Sequence, residues 1–598
     1  MLMIVDSFER VFGRSHFINV MALVFLTSAL YLPGLWSIPP IDRDEARFAQ
    51  ATRQMVEDGD YFHIQFQDEA RHKKPPGIYH LQAVVVGAVQ WLSGDDSVVD
   101  SIVWYRLPSF AGALLTVLLT YGFAVYYFND KAVSLFSAGL LASSVLLIVE
   151  AHQATTDAVL CAAMTGVMGA MGVLYLWRGE AGKNHGDQGG RGAVVLFWLL
   201  LALGFYVKGP IAVLIPLVCL VSLSVWDRDW RLIGMIRPVR GLILFSILTA
   251  CWAVPLHVAT GGSFWRDAFW GDFLPKLQSG VESHSFLPGF YIVIVVITFW
   301  PGSLVAGWAV ARAWKMMRSS KVEQREMKVV RFLFAWLVPM WVILELTPTR
   351  LPHYVLPLYP ALAMLTAIGV CGARSIDENE QAECDGQARA RNGSIVPTTG
   401  MKLGFLFWGM ITLGMGGAIA FVLNYLHWPF TWKIYPVIYG LAGAAVFSVW
   451  WAWRGRLYWA CVIGAVCCVV VMVFLWGMVL PNIDTLWLSR STAAALRSET
   501  HSSALPDDVV VVGYREPSLV FLTKRDIHLM SADRAAQLCV DDHEVVVLVT
   551  RDREDVFLSS LHKRGYRVVM NRSVVTGYNY SNGKWVTMSI VRGFVKVK

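Results

Sequence analysis

The chain of 598 residues has the length of several soluble domains, but 56% of its residues are hydrophobic and only 16% are charged. Soluble globular domains carry close to a quarter charged residues, so the composition excludes a soluble enzyme, a secreted disulfide scaffold and a disordered protein. The net charge of +7 is typical of membrane proteins that keep basic residues in cytoplasmic loops, and we infer no nucleic-acid partner from it. The sequence predicts a polytopic membrane protein.

Apolar runs of about 20 residues, the length that crosses roughly 30 Å of hydrocarbon, recur along the chain. The runs are 17–36, 107–127, 132–150, 158–176, 193–207, 209–226, 239–260, 288–311, 331–346, 354–372, 403–426, 434–453 and 457–480. The first run lacks a small-residue cleavage site, so it is predicted to remain as a spanning helix. The pattern therefore predicts an α-helical bundle with about 13 transmembrane helices.

A shorter apolar run, 78–93, decides the orientation of everything after it. The segment 312–331 carries seven Lys or Arg residues, and basic loops stay in the cytoplasm. This segment and three other basic loops share one side with the basic N-terminus only if 78–93 does not cross. We therefore predict that 78–93 lies along the interface, within a first outer loop of 37–106. The segments 151–157, 261–287 and 347–353 then share the outer face with this loop.

The composition changes after about Pro481, where short β-like runs such as VVVVGY, EVVVLVT and WVTMSIV alternate with helix-like ones. Such alternation is typical of a small α/β domain. The sequence thus predicts two domains: a membrane domain of 1–480, and an α/β domain of 481–598 on the outer face, periplasmic in a Gram-negative cell.

Acidic residues of the outer loops are the first candidates for chemistry. Asp42 and Glu45 resemble a capping box that begins a helix, and Asp44 shares a face of that helix with Arg47, three residues away, so the two could simply pair. Asp44 is also a candidate acid that accepts a proton or a metal beside a low-dielectric surface. Asp157 begins an apolar run; it is either a helix-capping acid or a functional group near the membrane interior.

Cationic residues gather at the same level. Arg71 and Lys74 lie in the segment RHKKPPG, Lys208 lies between two apolar runs, and Arg350 lies in TPTRLPHY. Such cations either snorkel to the interface or bind an anionic headgroup. His284, in VESHSF, is either a ligand or an ordinary loop residue. Cations around an apolar body, with a few acids, suit a lipid-linked phosphate donor.

Four motifs in this order resemble a known family: DEARFAQATRQMVEDGDY…RHKKPPGIYHLQA, then ATTDAVL, VKGP and LPHYVLPLYPALAML. They are similar to motifs of the bacterial GT-C membrane glycosyltransferases, the protein-mannosyltransferase-like family 39. The branch that they resemble most transfers 4-amino-4-deoxy-L-arabinose to lipid A. The resemblance spans the whole chain. It implies an inverting transfer of a sugar from a polyprenyl phosphate, undecaprenyl phosphate in bacteria, to a glycolipid acceptor, lipid A or lipopolysaccharide core, at the outer leaflet of the inner membrane.

The resemblance also implies roles for individual residues. The predicted catalytic acids are Asp44, Glu45 and Asp157. The predicted donor-phosphate-binding cations are Lys74, Arg47, Arg71, Lys208 and Arg350. The predicted substrate-binding residues are His353, Tyr354 and His284.

One departure from the family concerns a metal. The aminoarabinose transferases commonly have Glu before this Lys-Pro-Pro, where the carboxylate can ligate a metal, whereas this chain has Lys73. We therefore expect no requirement for a divalent metal through this position, and the departure leaves the preferred sugar open. Two alternatives stay open: the same chemistry on a protein or another envelope glycan, and a polyprenyl-lipid flippase. The absence of an internal repeat and the polar residues on one face favour an enzyme.

Overall fold

The computed structural model describes residues 15–178, 188–273, 288–319, 322–372, 396–499, 508–542, 545–569 and 573–597. Each of the thirteen apolar runs is helical in it. The helices are α1 His16–Tyr31, α2 Asp44–Asp58, α3 Gly77–Ser93, α4 Ile102–Phe128, α5 Lys131–Ala142, α6 Val145–Ala151, α7 Asp157–Trp177, α8 Gln188–Lys208, α9 Ile211–Asp227, α10 Arg231–Met235, α11 Pro238–Thr260, α12 Ser263–Arg266, α13 Phe290–Thr298, α14 Ser303–Met316, α15 Gln324–Leu346, α16 Tyr359–Cys371, α17 Thr399–Tyr425, α18 Tyr435–Gly443, α19 Val449–Trp453, α20 Leu457–Phe474, α21 Leu488–Glu499, α22 Pro517–Leu522, α23 Ala532–Asp541 and α24 Arg551–Lys563. Short 3₁₀ or π segments are Asp96–Asp100, Asp267–Phe273, Pro352–Leu358, Trp432–Ile434, Ala444–Ser448, Leu475–Val479, Leu480–Asn482 and Asp484–Leu486.

Nine helical segments of the described residues are long and apolar enough to cross a membrane, and the count becomes ten if the bent pair α5 and α6 forms one span. The other three predicted runs are helical but shorter or broken. Helices α1 and α9 have 16 and 17 residues, and the run 288–311 is divided between α13 and α14. The multi-pass helical architecture is thus confirmed, while the number thirteen stays a prediction.

Helix α7 forms the centre of the bundle, since it is buried along almost its whole length. It packs against α4 and α8 on its two sides. A Cβ atom at Gly112 of α4 would lie 2.9 Å from the backbone of Ala158, so glycine lets the two helices approach closely. This close approach fixes the first turn of α7, which carries Asp157.

The first outer loop contains two helices, α2 and α3, and the two-residue strands β1 Gln65–Phe66 and β2 Glu69–Ala70, which pair antiparallel. The run 78–93 forms α3, which packs against α2 and α4. Val84, Trp91 and Leu92 of α3 are exposed. An exposed apolar stripe next to a tryptophan agrees with the predicted interfacial position.

The C-terminal region folds as the predicted α/β domain. Its strands are β3 Val509–Val512, β4 His528–Met530, β5 Val546–Thr550, β6 Tyr566–Val568, β7 Ser573–Asn579, β8 Lys584–Val591 and β9 Phe594–Lys596. Five of them form a sheet of order β4-β3-β5-β8-β7, in which β3 is parallel to β4 and β5, and β8 is antiparallel to β5 and β7. Strands β6 and β9 form a separate antiparallel pair. The buried Val residues of β3 and β5 are typical of strands that are covered on both faces.

Candidate active site

Asp157 is the buried acid of the site, and its side chain is only 8% exposed. It is the first residue of α7, where the positive end of the helix dipole stabilises a carboxylate. Lys208, the last residue of α8, donates a hydrogen bond to Asp157 Oδ1, and Thr156 Oγ1 donates to Oδ2 over 3.2 Å. The negative end of α8 in turn stabilises the ammonium group. Two antiparallel helices therefore bring an acid and a cation together at their adjacent ends.

His353 connects this pair to a second buried acid. Its Nε2 lies 3.9 Å from Asp157 Oδ1, and its Nδ1 lies 3.8 Å from Glu150 Oε1. Thr155 Oγ1 donates to the other oxygen of Glu150 over 3.1 Å. A histidine with a carboxylate at each ring nitrogen is suited to hold or move a proton between them. Glu150 was not predicted as a site residue, because it belongs to the apolar run 132–150. An acid in such a run is itself a signal of function, and it could have identified Glu150.

The cations of the site surround these acids. Lys208 Nζ lies 5.6 Å from the centre of the Tyr354 ring, which lines the cluster beside His353. Lys74 interacts electrostatically with Asp157 and His353. The structure thus brings together Lys74, from the first loop, and residues of α7, α8 and the Pro352–Leu358 segment. Four of the predicted site motifs meet at one place.

Asp44 differs from these acids because its side chain is 67% exposed. It begins α2, and its Oδ1 lies 3.8 Å from an amino nitrogen of Arg71. The Arg71 side chain is 8% exposed; its Nε donates to the Tyr79 hydroxyl over 3.1 Å, and its guanidinium lies 5.1 Å from the centre of the Phe48 ring. Arg71, rather than Arg47, is therefore the cation beside Asp44. The charge of Asp44 also reaches Glu150 and His353.

Glu45, predicted with Asp44 as an acid of the site, has a fully buried side chain. Arg106 donates to it from Nε and from one amino group over 2.7 and 2.9 Å. The backbone N–H groups of Ile41 and Ala154 donate to its two oxygens over 2.7 and 2.9 Å. A carboxylate with four donors has no capacity left to accept a proton from a substrate. The geometry favours a role for Glu45 in fixing the loop rather than in the reaction.

The predicted capping box differs from the structure in the same region. Helix α2 starts at Asp44, and the residue before it, Arg43, makes no side-chain capping bond. Glu45 does bond back to the chain before the helix, at Ile41, whereas Asp42 Oδ1 accepts the backbone N–H of Ser518 in the C-terminal domain. The bond between Asp42 and Ser518, which are 476 residues apart, replaces the predicted capping bond of Asp42 within the helix start. A local sequence pattern does not reveal such a distant contact.

The remaining predicted site residues are Arg47, Arg350 and His284. Arg47 is half-buried on α2. Arg350 is buried, and its guanidinium donates to the carbonyl oxygen of Glu345 over 2.6 and 3.0 Å, which fixes the start of the segment that carries His353. His284 lies outside the described residues.

The residues around Lys73 do not fit a divalent cation. Lys73 itself is exposed, and the neighbouring His72 contacts Asp267 over 2.9 Å. Across the described ranges, no three His, Cys, Asp or Glu side chains converge as a metal site would require. That no divalent metal is required through this position stays a prediction.

Buried acids and cations at the ends of spanning helices, an exposed acid on a loop helix and an appended α/β domain are features expected of the class of GT-C membrane glycosyltransferases that the motifs resemble. Comparisons of sequence agree with this class. The profile of the family "Dolichyl-phosphate-mannose-protein mannosyltransferase" matches residues 74–273, which include Lys74, Asp157 and Lys208.

Among curated proteins, the chain is similar to undecaprenyl phosphate-alpha-4-amino-4-deoxy-L-arabinose arabinosyl transferases. It is 29% identical over 339 residues to the Pseudomonas aeruginosa (strain UCBPP-PA14) protein, a match that covers 56% of this chain and 55% of the relative. It is 24% identical over 449 residues to the Edwardsiella ictaluri protein, with 72% of each covered. The matched part spans about half the length of the first of these relatives.

Solved structures give the same architecture over almost the whole chain. The crystal structure of ArnT from Cupriavidus metallidurans bound to undecaprenyl phosphate superposes with a TM-score of 0.69 and 17% identity, over 95% of this chain and 97% of that one. An archaeal oligosaccharyltransferase, AglB from Archaeoglobus fulgidus, gives a TM-score of 0.52 and 10% identity, over 98% of this chain and 74% of that one. The chain therefore has the ArnT-like GT-C fold, and the resemblance seen in its motifs is confirmed.

Proposed function

We propose that the protein is an inverting glycosyltransferase that moves a sugar from undecaprenyl phosphate, or a related polyprenyl phosphate, to lipid A or lipopolysaccharide core. The observation that carries this proposal is an exposed acid, Asp44, beside Arg71, together with a buried acid, Asp157, that pairs with Lys208 and interacts electrostatically with Lys74. The names of the similar arabinosyl transferases support the choice of donor.

The cations form the half of the site that holds the donor phosphate. A phosphodiester donor becomes a phosphomonoester dianion when the sugar leaves, so negative charge develops on its oxygens. Lys208 is fixed by the buried acid Asp157, and Lys74 interacts electrostatically with the same acid. Preorganised cations stabilise such developing charge without reorganisation. Tyr354 and His353 border the same space and are suited to contact the phosphate or the sugar.

Asp44 forms the half that activates or orients the acceptor. The acceptor oxygen attacks the anomeric carbon from the side opposite the phosphate; the new carbon–oxygen bond forms as the bond to the phosphate oxygen breaks, and the phosphate keeps the electron pair. Where the acceptor is a hydroxyl, Asp44 takes its proton as general base. Where the acceptor is a lipid A phosphate, already ionised, Asp44 positions the acceptor or a cation instead.

The proposal includes a location. We place the protein in the bacterial inner membrane, with the site and the C-terminal domain in the periplasm. The basic loop 312–331, with seven Lys or Arg residues, then lies in the cytoplasm as the positive-inside rule requires. A lipid-linked donor suits this orientation, because no nucleotide sugar is expected outside the cytoplasm.

The test compares the lipid A and core fractions of cells with and without this gene by mass spectrometry. We expect the mass of one sugar to disappear from lipid A or core, and to return with the native gene but not with Asp44→Asn. An unchanged lipid A and core with a lost protein or envelope glycan would move the acceptor to that class. Loss of polyprenyl-linked sugar at the outer leaflet, with transfer intact in broken membranes, would support the flippase instead.

A further inference from the structure

The turn that leads into α2 holds an unfavourable backbone conformation. Arg43, immediately before Asp44, has φ 72° and ψ −101°. A residue with a Cβ atom rarely adopts positive φ, and such strain persists only where the surrounding structure enforces it. The orientation of Asp44 therefore depends on whatever holds this turn.

The C-terminal domain contacts the turn at the strained residue and at the residue before it. The backbone N–H of Asp42 donates to the Tyr580 hydroxyl over 2.7 Å, and Asp42 Oδ1 accepts the Ser518 N–H over 2.9 Å. The Arg43 guanidinium donates to the carbonyl oxygen of Ser581 over 2.5 Å. Tyr580 and Ser581 follow β7 in its hairpin with β8, so one rigid hairpin supplies two of these partners.

The same domain contacts the rest of the first loop. Arg53 of α2 donates to the Phe521 carbonyl over 3.2 Å, and Arg525 contacts both oxygens of Asp58 over 2.6 and 2.7 Å. Gln67 donates to the carbonyl oxygens of Arg525 and Ile527 over 3.0 and 2.8 Å. Helix α2 is thus held at its start, middle and end by a part of the chain more than 450 residues away.

We infer that the C-terminal domain is a positioning element of the transferase. In this inference the hydroxyl group of Tyr580 holds the strained turn at Arg43 and thereby orients Asp44. The part of this inference that concerns turnover rests on the proposed function. Tyr580 acts through Asp42 and Arg43 and is a positioning residue. Loss of its hydroxyl leaves the Asp42 N–H without that acceptor and lets the turn relax.

This role makes a specific kinetic prediction. The donor-phosphate cation Lys208 is held by Asp157 within the helical bundle. Relaxation of the turn therefore displaces Asp44 while the Asp157–Lys208 pair keeps its place. A small misplacement of a reacting group is expected to lower kcat, whereas KM for the donor depends on contacts that have not changed.

The experiment measures kcat and donor KM of the purified full chain with undecaprenyl phosphate-aminoarabinose and diphosphorylated lipid A. The variants are Tyr580→Phe, Arg43→Gly and the double variant. Glycine adopts positive φ without steric cost, so Arg43→Gly removes the strain that Tyr580 is inferred to hold. Tyr578→Phe is the matched control: it removes a hydroxyl from the same hairpin, and its ring contacts Tyr425 and Trp585 rather than the first loop.

We expect Tyr580→Phe to lower kcat by about tenfold or more with donor KM changed by less than about twofold, and Tyr578→Phe to change neither. In the Arg43→Gly background, Tyr580→Phe should lower kcat by less than about threefold, because glycine needs no restraint. Three results would overturn the inference. The first is an equal loss of kcat from Tyr580→Phe in the native and Arg43→Gly backgrounds. The others are a rise of donor KM in place of the fall of kcat, and an effect of Tyr578→Phe equal to that of Tyr580→Phe.

A second measurement does not depend on the substrate. Hydrogen–deuterium exchange of the peptide 41–58 should be faster in Tyr580→Phe than in the native protein, and unchanged in Tyr578→Phe. If the native protein turns over neither donor nor acceptor, the proposed function fails while this exchange still tests the restraint of the turn. Equal exchange in Tyr580→Phe and native protein would overturn the inference even where transfer is observed.

Discussion

The two acids of the site, Asp157 and Asp44, are held in opposite ways. Asp157 is buried, and its partners lie in the helical bundle: Lys208 at the end of α8, and His353 in the segment before α16. Asp44 is mostly exposed, and its helix is fixed by a separate domain through hydrogen bonds to Asp42 and Arg43. One acid belongs to the rigid core and the other to an interface between domains.

The difference matches the two tasks proposed for the site. A dianionic leaving group needs fixed charge in a low-dielectric environment, where electrostatic interactions are strong, and the bundle supplies it. An acceptor that arrives from the outer leaflet needs an accessible group, and a loop helix supplies it. Inter-domain interfaces permit relative motion more readily than a buried core does. The two acids therefore belong to two parts of the site: a fixed part that binds the donor, around Asp157, and an adjustable part that binds the acceptor, around Asp44.

The largest expected effect comes from Asp44→Asn. Removal of the proposed general base should lower kcat by about 10²–10⁴-fold for a hydroxyl acceptor, while the unfolding temperature stays near the native value because the side chain is exposed. The measurement is the initial rate of sugar transfer, by mass spectrometry, with thermal unfolding of the same samples. Asp68→Asn, an exposed acid of the same loop, is the control. A kcat for Asp44→Asn within about tenfold of the native value would remove Asp44 from that role.

The second prediction concerns the buried pair of Asp157 and Lys208. Lys208→Met leaves Asp157 without its ammonium partner, and an uncompensated buried charge costs about 3–5 kcal/mol of unfolding free energy. The double variant Lys208→Met, Asp157→Asn should recover most of this stability but not the transfer rate. Unfolding in detergent measures the stability, and the initial rate of sugar transfer measures the activity. Lys73→Met is the exposed control. Failure of the double variant to recover stability would mean that packing, rather than charge pairing, dominates this position.

Much of this architecture was predictable, because membrane burial leaves strong traces in sequence. The thirteen apolar runs are all helical, and Asp157 and Lys208 stood out as ionisable residues at the edges of such runs. Glu150 was missed because a single charge at the end of the run 132–150 does not change its apolar average. Arg106 was missed because a single basic residue directly before a run is common in membrane proteins. Strand β7 was also missed, since its residues alternate between half-buried and exposed and give a weak pattern.

The contacts that fix Asp44 were not predictable for another reason. Ser518 contributes a backbone N–H and Ser581 a backbone carbonyl, and every residue other than proline offers such groups. The residue types at positions 518 and 581 therefore do not indicate that these positions contact the first loop. The partners lie more than 450 residues apart, and only the folded chain brings them together.

The third prediction is a pH dependence of this interface. Burial raises the pKa of Asp42 from 3.8 to about 6, with a further contribution from the charge of Glu516, while hydrogen bonds from Ser518 and Tyr580 partly oppose the rise. The docked carboxyl binds its proton more tightly than the free one. Docking should therefore strengthen as the pH falls from 7 to 4 and weaken as Asp42 ionises through about pH 6.

Asp42→Asn should remove this dependence, since an amide does not titrate in the range. Hydrogen–deuterium exchange of the peptide 41–58 between about pH 5 and 7, corrected for intrinsic exchange rates, gives the relative strength of docking. Tyr514, Tyr580 and Glu516 face the same carboxyl, and Asp42→Asn leaves all three in place. If the corrected exchange rate responds to pH equally in the native protein and in Asp42→Asn, the pH dependence of docking belongs to another group.

The smallest expected effect is that of the ion pair at the other end of α2. Arg525 and Asp58 are 27% and 42% exposed, and an exposed pair contributes about 0.2–1 kcal/mol. A double-mutant cycle with Arg525→Ala and Asp58→Ala should give a coupling free energy of this size, which decreases as salt is added. A coupling well above this range, insensitive to salt, would mean that the far end of α2 rather than the Arg43 turn anchors the helix. The weak coupling expected here is what allows the turn, held by Tyr580, to control the direction of Asp44.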